Sequence, residues 1–280
     1  MAVQNSVLTN VGAFVALRNL NSTNAKLDQV QNRVSTGLKV AGALDDASNF
    51  SIAQGIRGEL KAIGAVTQGL NNAKGVGKVA IAGATGVSNL LTDIRAKLTS
   101  LGNEGITTQQ RTILADDFNK LMSQANNFVA NSIFNGVNLL SSGGNNVNTL
   151  SNLSGGTLTL TAQSLTTVIS SLQGLGASVA SSASGAANAQ TAISTEFSAL
   201  ESTVNAALGS LGAEVRALDL QTSFLQEISD ATEEGLGNIV DADLARESAR
   251  LTALQVQQQL GIQTLGIANH RPQSVLSLFR

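Results

Sequence analysis

Apolar residues recur at helical spacing along most of the chain, and the C-terminal stretch carries two sets of them. On a helix turning 100° per residue, Leu244, Leu251, Leu254, Ile262 and Leu265 fall on one face. Val256, Leu260 and Ile267, with Ala253, fall on the opposite face, and glutamines fill the flanks. A helix at the edge of one core needs a single apolar stripe. Burying a Val, Leu or Ile stabilises by about 1.5–3 kcal/mol, so a second stripe left in water forfeits a large gain. The pattern predicts a subunit completed by its neighbours; the alternative is a helix buried centrally in a larger single domain.

Residues 3 to about 36 read as the partner helix. Leu20, Leu27 and Val34 stand seven apart, as in a coiled-coil seam, and Val30 and Leu38 join their stripe. Val3, Val7, Val11 and Phe14 lie on another side, so this helix too is apolar on more than one face. Thr36-Gly37 marks its end. After a connector at 42–48, Asp45, Asp46 or Ser48 caps the next helix.

Helical spacing then continues from 47 to about 100, through Ile52, Ile56, Leu60 and Ile63 to Leu98 and Leu101. Eight glycines interrupt it, each costing about 1 kcal/mol relative to Ala in a free helix. The choice is a break near Gly75 or one long helix held by close packing, and the unbroken spacing favours the long helix. Gly102 to Gly105 makes a turn, and Thr107 or Thr108 caps a third helix carrying Leu114, Phe118, Leu121, Ala125 and Phe128.

Beyond it the period changes. Asn135-Gly136 is a turn signal, 143–148 reads as loop, and Thr157 to Ala162 alternates Thr and Leu as a half-buried strand does. Helix resumes from about Ala187. Val204, Leu208, Leu211, Val215, Leu218, Leu225, Leu236 and Ile239 fit one heptad register, with Gly235 and Gly237 marking a joint before the last helix.

Charge sharpens this division. No Asp, Glu, Lys or Arg occurs between Lys120 and Glu196, so a polar, neutral centre separates two charged helical arms. The net charge of −2 argues against a nucleic-acid partner, which needs a basic stripe, and no uncharged run is apolar enough to span a bilayer. The sequence has no Cys, so it offers no disulfide framework and no thiolate metal site. Met1 to Leu17 has no basic residue and does not read as a secretory signal.

Little reactive chemistry is present. Gly75-Val76-Gly77-Lys78 fits a loose dinucleotide fingerprint, but that motif must follow a strand and residues 60–74 are spaced as helix. His270 is the only imidazole, which leaves no triad and no histidine metal site. Asp241, Asp243 and Glu247 suit helix capping and the helix dipole better than a cation. The sequence predicts no enzyme and no cofactor.

The arms resemble bacterial flagellin. The N-terminal matches are Arg33-Val34-Ser35-Thr36-Gly37-Leu38-Lys39-Val40, Asp45-Asp46-Ala47, Ile52-Ala53, and Phe134-Asn135-Gly136-Val137-Asn138-Leu139-Leu140. The C-terminal matches are Ile239-Val240-Asp241-Ala242-Asp243-Leu244-Ala245, Gln257-Gln258, Gly261, and the ending from Ala268 to Arg280. Together they span about residues 1–140 and 190–280. Leu44 stands where the family often has Lys, and Asn49 where it often has Gly. The short centre is similar to the minimal type without outer, surface-displayed domains.

The resemblance implies a mainly α fold. It is a folded-back rod of long helices, a terminal coiled-coil pair plus a helical bundle, with a small central β-hairpin region. Residues 1–44 and 243–280 form an inner-tube domain, and residues 45–242 an outer wall with the hairpin segment at about 134–186. The implied function is the structural subunit of the flagellar filament, secreted and self-assembling into a helical tube for swimming motility. Implied partners are further copies in a homopolymer, the flagellar export apparatus and a chaperone, and hook-associated and cap proteins. The expected packing and assembly residues are Leu20, Leu27, Val34, Leu251, Leu254, Val256, Leu260, Ile262, Leu265 and Ile267. The alternative is a hook–filament junction protein, which shares the terminal helices.

Overall fold

The computed structural model describes residues 9–181 and 184–276, with the backbone alone for 271–276. Its helices are α1 (Val11–Thr36), α2 (Ala47–Leu101), α3 (Thr108–Ala130), α4 (Leu165–Gly174), α5 (Gly176–Val179), α6 (Gly185–Ala192), α7 (Ser198–Val240) and α8 (Leu244–Leu276). A π-helical turn, Ile193–Phe197, leads into α7, and strands β1 (Val147–Leu150) and β2 (Thr157–Leu160) form one antiparallel hairpin. The chain divides into two units, residues 1–58 with 231–280, and residues 59–230.

The first unit is built on α1 and α8, which run antiparallel. Asn10 starts α1 by accepting the Ala13 N–H on its side-chain oxygen, and Gly37 ends it at φ 73°, a left-handed geometry that favours glycine. Val3 and Val7, expected in this helix, lie outside the described residues. Asp243 starts α8 by accepting the Arg246 N–H at 3.1 Å. The polypeptides are stitched beside these ends: Lys39 N–H donates to Val240 O at 2.7 Å and Ala242 N–H to Gly37 O at 2.8 Å. Val40, Ala53 and Val240 form a small buried cluster there, with Leu236 and Ile239 packed on it. That packing carries α7 through Gly235 and Gly237, so the expected joint at those glycines lies instead at Asp241–Asp243.

The second unit has a continuous core. Among the described residues thirty-four buried apolar side chains form one cluster, drawn from α2, α3, Leu139 and Leu140 before the hairpin, β2, α4 to α6, the π-helical turn and α7. The long α2 is unbroken. Several of its glycines are contact points: a Cβ on Gly77 would lie 2.4 Å from Val215 Cγ2, and one on Gly83 would overlap Ser132 Oγ. Nothing surrounds Gly55, Gly58 or Gly64, and the structure gives no reason for them. Thr107 caps α3 in a reciprocal capping box with Gln110. Arg111 on α3 is buried and donates to the carbonyls of Leu101 at 2.5 Å and Asn103 at 2.8 Å. It thereby places a cation at the C-terminal end of α2, where the helix dipole favours one.

Asn135 and Gly136 both have positive φ, 49° and 79°, and Phe134 and Val137 exchange two backbone hydrogen bonds across them. This is the geometry that Asn-Gly predicts. Two expectations for the neutral centre are corrected. Val147 and Asn148, read as loop, belong to β1 and pair with Leu160 and Thr159; four residues are too few to show a period by themselves. The stretch between β2 and Ala187, read without helix, holds α4, α5 and the start of α6. Leu165, Ile169 and Leu172 of α4 are fully buried at helical spacing, a signal diluted by the surrounding Ser and Thr.

Candidate assembly surface

The surface in question is what α1 and α8 leave uncovered after pairing. On α1 Ala13, Ala16, Leu20, Thr23, Leu27, Val30 and Val34 are covered, alternating three and four apart, with Asn24 and Arg33 covered beside them. On α8 Glu247, Leu251, Leu254, Gln258, Gly261, Leu265 and Ala268 are covered, with the same alternation. Both are heptad seams. Asn10 Nδ2 donates to Ala268 O at 2.7 Å and Gln258 Nε2 to Asn24 Oδ1 at 2.9 Å, which fixes the antiparallel register. At Gly261 the helices come close, with Leu20 Cδ1 3.2 Å from where a Cβ would sit.

The seam is thin. Leu20, Leu27, Val34, Leu251, Leu254 and Leu265 are only half-buried, and no apolar side chain described on α8 is fully buried. The buried member of α8 is Glu247. Its Oε1 lies 3.6 Å from Arg33 Nη1 across the seam and 3.1 Å from Arg250 Nη1 on its own helix. Glu247 Oε2 and Arg33 Nε are buried without a hydrogen-bond partner. A buried ion pair that is incompletely satisfied adds little net stability.

The outer face of α8 is apolar. Val256, Leu260, Ile262 and Ile267 are 51%, 55%, 56% and 71% exposed. Val256, Leu260 and Ile267 lie opposite the seam, as the spacing predicts. Ile262 does not join Leu251, Leu254 and Leu265. The seam repeats every seven residues, whereas a straight helix drifts by about 20° per heptad against that repeat, and Gly261 takes the seam position instead. On α1, Val11, Phe14, Val15 and Leu17 are also exposed, at the end of the helix nearest Ala268. That α1 patch was only partly legible: Val11 and Phe14 are in the predicted second face, but Val15 and Leu17 are not.

The connector after α1 is held by carboxylates. Asp45 Oδ2 accepts the N–H groups of Ala41 and Gly42, each at 3.1 Å. Of the three cap candidates Asp46 serves, its Oδ1 accepting the Asn49 N–H at 3.0 Å. That bond, with smaller contributions from the Asn49 side-chain amide, the Ser48 N–H and the charge of Lys39, holds the Asp46 carboxyl below its ordinary value. Leu44, on the loop between, is fully exposed.

Gly75-Val76-Gly77-Lys78 lies inside α2, with helix rather than strand before it. Asp243 is spent on capping α8 and Glu247 on the two guanidinium groups. Among the described residues no three or more His, Cys, Asp or Glu side chains are grouped as a metal site, and no helix is long and apolar enough to cross a membrane.

The chain is similar to known proteins. Residues 7–146 match the family model for the bacterial flagellin N-terminal helical region, and residues 196–279 match that for the C-terminal helical region. The chain is 39% identical over 276 residues to flagellin FljM of Caulobacter vibrioides, covering 99% of both chains. It is 37% identical over 284 residues to a flagellin of Brucella melitensis, covering 98% of this chain and 99% of that one. Among solved structures, a putative flagellar hook-associated protein from Vibrio parahaemolyticus superposes with a TM-score of 0.59 at 16% identity. That match covers 70% of this chain and 100% of the other, and it shows a shared fold.

Proposed function

This chain belongs to the bacterial flagellin family, whose members are the structural subunits of the extracellular flagellar filament, and from that premise we propose that it polymerises through the outer faces of α1 and α8. One observation carries the reading: Val256, Leu260, Ile262 and Ile267 remain exposed on a helix that has already found its intramolecular partner. Leu251 to His270 holds no formal charge, so neighbouring copies can cover this face without burying an unpaired ion. In this reading Leu20, Leu27, Val34, Leu251, Leu254 and Leu265 hold the helix pair together, and the four exposed residues make the contacts between copies. Residues 1–44 with 243–280 then form the inner tube, and residues 45–242 the outer wall.

The role is structural and not catalytic. The chain meets the flagellar export apparatus and a chaperone before assembly, and hook-associated and cap proteins at the filament ends. Full-length likeness to flagellins favours the filament subunit over the hook–filament junction alternative.

Substitution at the exposed face tests the reading. Leu260→Asp or Ile267→Asp places a carboxylate in an apolar contact, at a cost of several kcal/mol. Seeded polymerisation is expected to fail while unfolding of the middle unit, followed by circular dichroism, stays as in the wild type. Filaments of wild-type stability from either variant would remove this face from the assembly contact.

A further inference from the structure

One exposed turn of the second unit places a nucleophile beside an electrophile. Asn135-Gly136 is the only Asn-Gly pair in the sequence, and both residues are exposed. They hold the central positions of the turn at φ 49° and 79°, and Asn135 is the one non-glycine residue with positive φ among those described. Phe134 N–H donates to Val137 O at 3.0 Å and Val137 N–H to Phe134 O at 2.9 Å, so the bonds that close the turn lie outside the pair. The Gly136 N–H and the Asn135 side-chain amide make no hydrogen bond among the described residues.

We propose that Asn135 is a site of spontaneous deamidation, a modification the chain carries out on itself. The Gly136 nitrogen gives up its proton to solvent base and bonds to the side-chain carbonyl carbon of Asn135, and the side-chain nitrogen leaves as ammonia. Water then opens the cyclic imide at either carbonyl carbon. One opening gives aspartate; the other gives isoaspartate, whose main chain runs through the side-chain methylene. The net change is amide plus water to carboxylic acid plus ammonia, and no other co-reactant enters. Glycine suits the step because it has no side chain to obstruct the approach of its nitrogen. At Asn131-Ser132, by contrast, Ser132 is buried and its N–H is tied to Val129 O at 3.2 Å. Asn21-Ser22 lies within α1, where the ladder of the helix occupies the serine N–H. The Asn135 turn resists through two backbone bonds at the surface, and segments held so lightly open without global unfolding.

The modification reaches the packing of the unit. Isoaspartate lengthens the main chain between Phe134 and Val137 and breaks the spacing that their paired hydrogen bonds need. The Phe134 ring lies against Gly75 of α2, 2.8 Å from where a Cβ would sit. Just beyond the turn, Asn138 Nδ2 donates to Val129 O at 2.7 Å at the end of α3, and Asn138 Oδ1 accepts the Leu140 N–H at 2.8 Å. Conversion therefore loosens the fastening of this segment to α2 and α3. It also puts a carboxylate into the stretch between Lys120 and Glu196, which has no charge. The turn thus dates each subunit irreversibly.

Incubation of the full, unpolymerised chain in warm, mildly alkaline buffer tests this, read by peptide mass spectrometry and by isoaspartyl methyltransferase labelling. Isoaspartate, with some aspartate, should accumulate at Asn135 ahead of Asn21 and Asn131. Asn135→Gly, which suits the left-handed turn and has no amide to lose, should lose this labelled site completely. Converted chains should unfold at a lower temperature than unconverted ones. Freshly prepared Asn135→Asp, with the charge but the ordinary main chain, should unfold as the wild type does. An Asn135 that keeps its amide in the folded chain while converting in denaturant overturns the proposal, and so does faster conversion at Asn21 or Asn131. Converted chains that unfold with the wild type overturn its structural consequence.

Discussion

The two units are made of similar helices and finished to different degrees. In the second unit α2, α3 and α7 surround a core with Phe118, Met122, Leu98 and Leu211 wholly inside. In the first unit two long helices meet along one seam, and beyond the small cluster at Val40, Ala53 and Val240 only Ala16 and Val30 are buried apolar residues among those described. Two helices cover one stripe on each other, whereas a bundle covers each helix from several sides. Helices held by so little tertiary burial depend on their own marginal stability. The first unit thus keeps apolar side chains exposed on both its helices and has only a small interior of its own. The proposed completion of the first unit by other copies rests on this small number of buried side chains.

Truncations in the two units give the largest expected contrast. Phe118→Ala should destabilise the second unit by about 3–5 kcal/mol, as aromatic deletions in packed cores do. Leu254→Ala, in the half-open seam, should cost the soluble subunit about 1 kcal/mol or less, since roughly half of the 1.5–3 kcal/mol transfer gain is realised there. Denaturant titration of the unpolymerised chain reads both. Equal losses at the two sites would mean that the seam is as well packed as the core.

A smaller contrast lies among the glycines of the long helices. Gly77→Ala pushes a methyl group against Val215 and should cost about 1–3 kcal/mol, the usual range for overpacking. Gly209→Ala, on α7 with nothing within 4 Å, should stabilise by about 0.4–1 kcal/mol through the unfolded chain. Thermal unfolding of the two variants should therefore shift in opposite directions.

The smallest expected effect concerns pH at the start of α2. The Asp46 carboxyl is held below its ordinary value by the Asn49 N–H. Its cap is therefore complete at neutral pH and is lost as the pH falls through the range where the carboxylate takes up a proton. The protection factor of the Asn49 amide, which removes the intrinsic slowing of amide exchange in acid, should fall on acidification, and Asp46→Asn should remove that dependence while keeping a cap.

The sequence by itself determined which residues share a face. The seven-residue spacing of Leu20, Leu27 and Val34, the second stripe of Val256, Leu260 and Ile267, the Asn135-Gly136 turn and the Thr107 cap are all local patterns, readable within a few helical turns. The family-specific runs at both ends identified the flagellin likeness. Tertiary structure decided which face found a partner. Ile262 has the spacing of a seam residue, yet Gly261 takes the seam because the helices approach closely at Leu20. Glu247 reads as a first-turn acid suited to the helix dipole, and only the fold shows that Arg33 and Arg250 draw it inside. Helix α7 runs through Gly235 and Gly237 because Leu236, Ile239 and Val240 have Val40 and Ala53 to pack on. Strand β1 exists because β2 pairs with it. Each of these depends on residues far away in the sequence, and periodicity along one segment holds no information about what lies across from it.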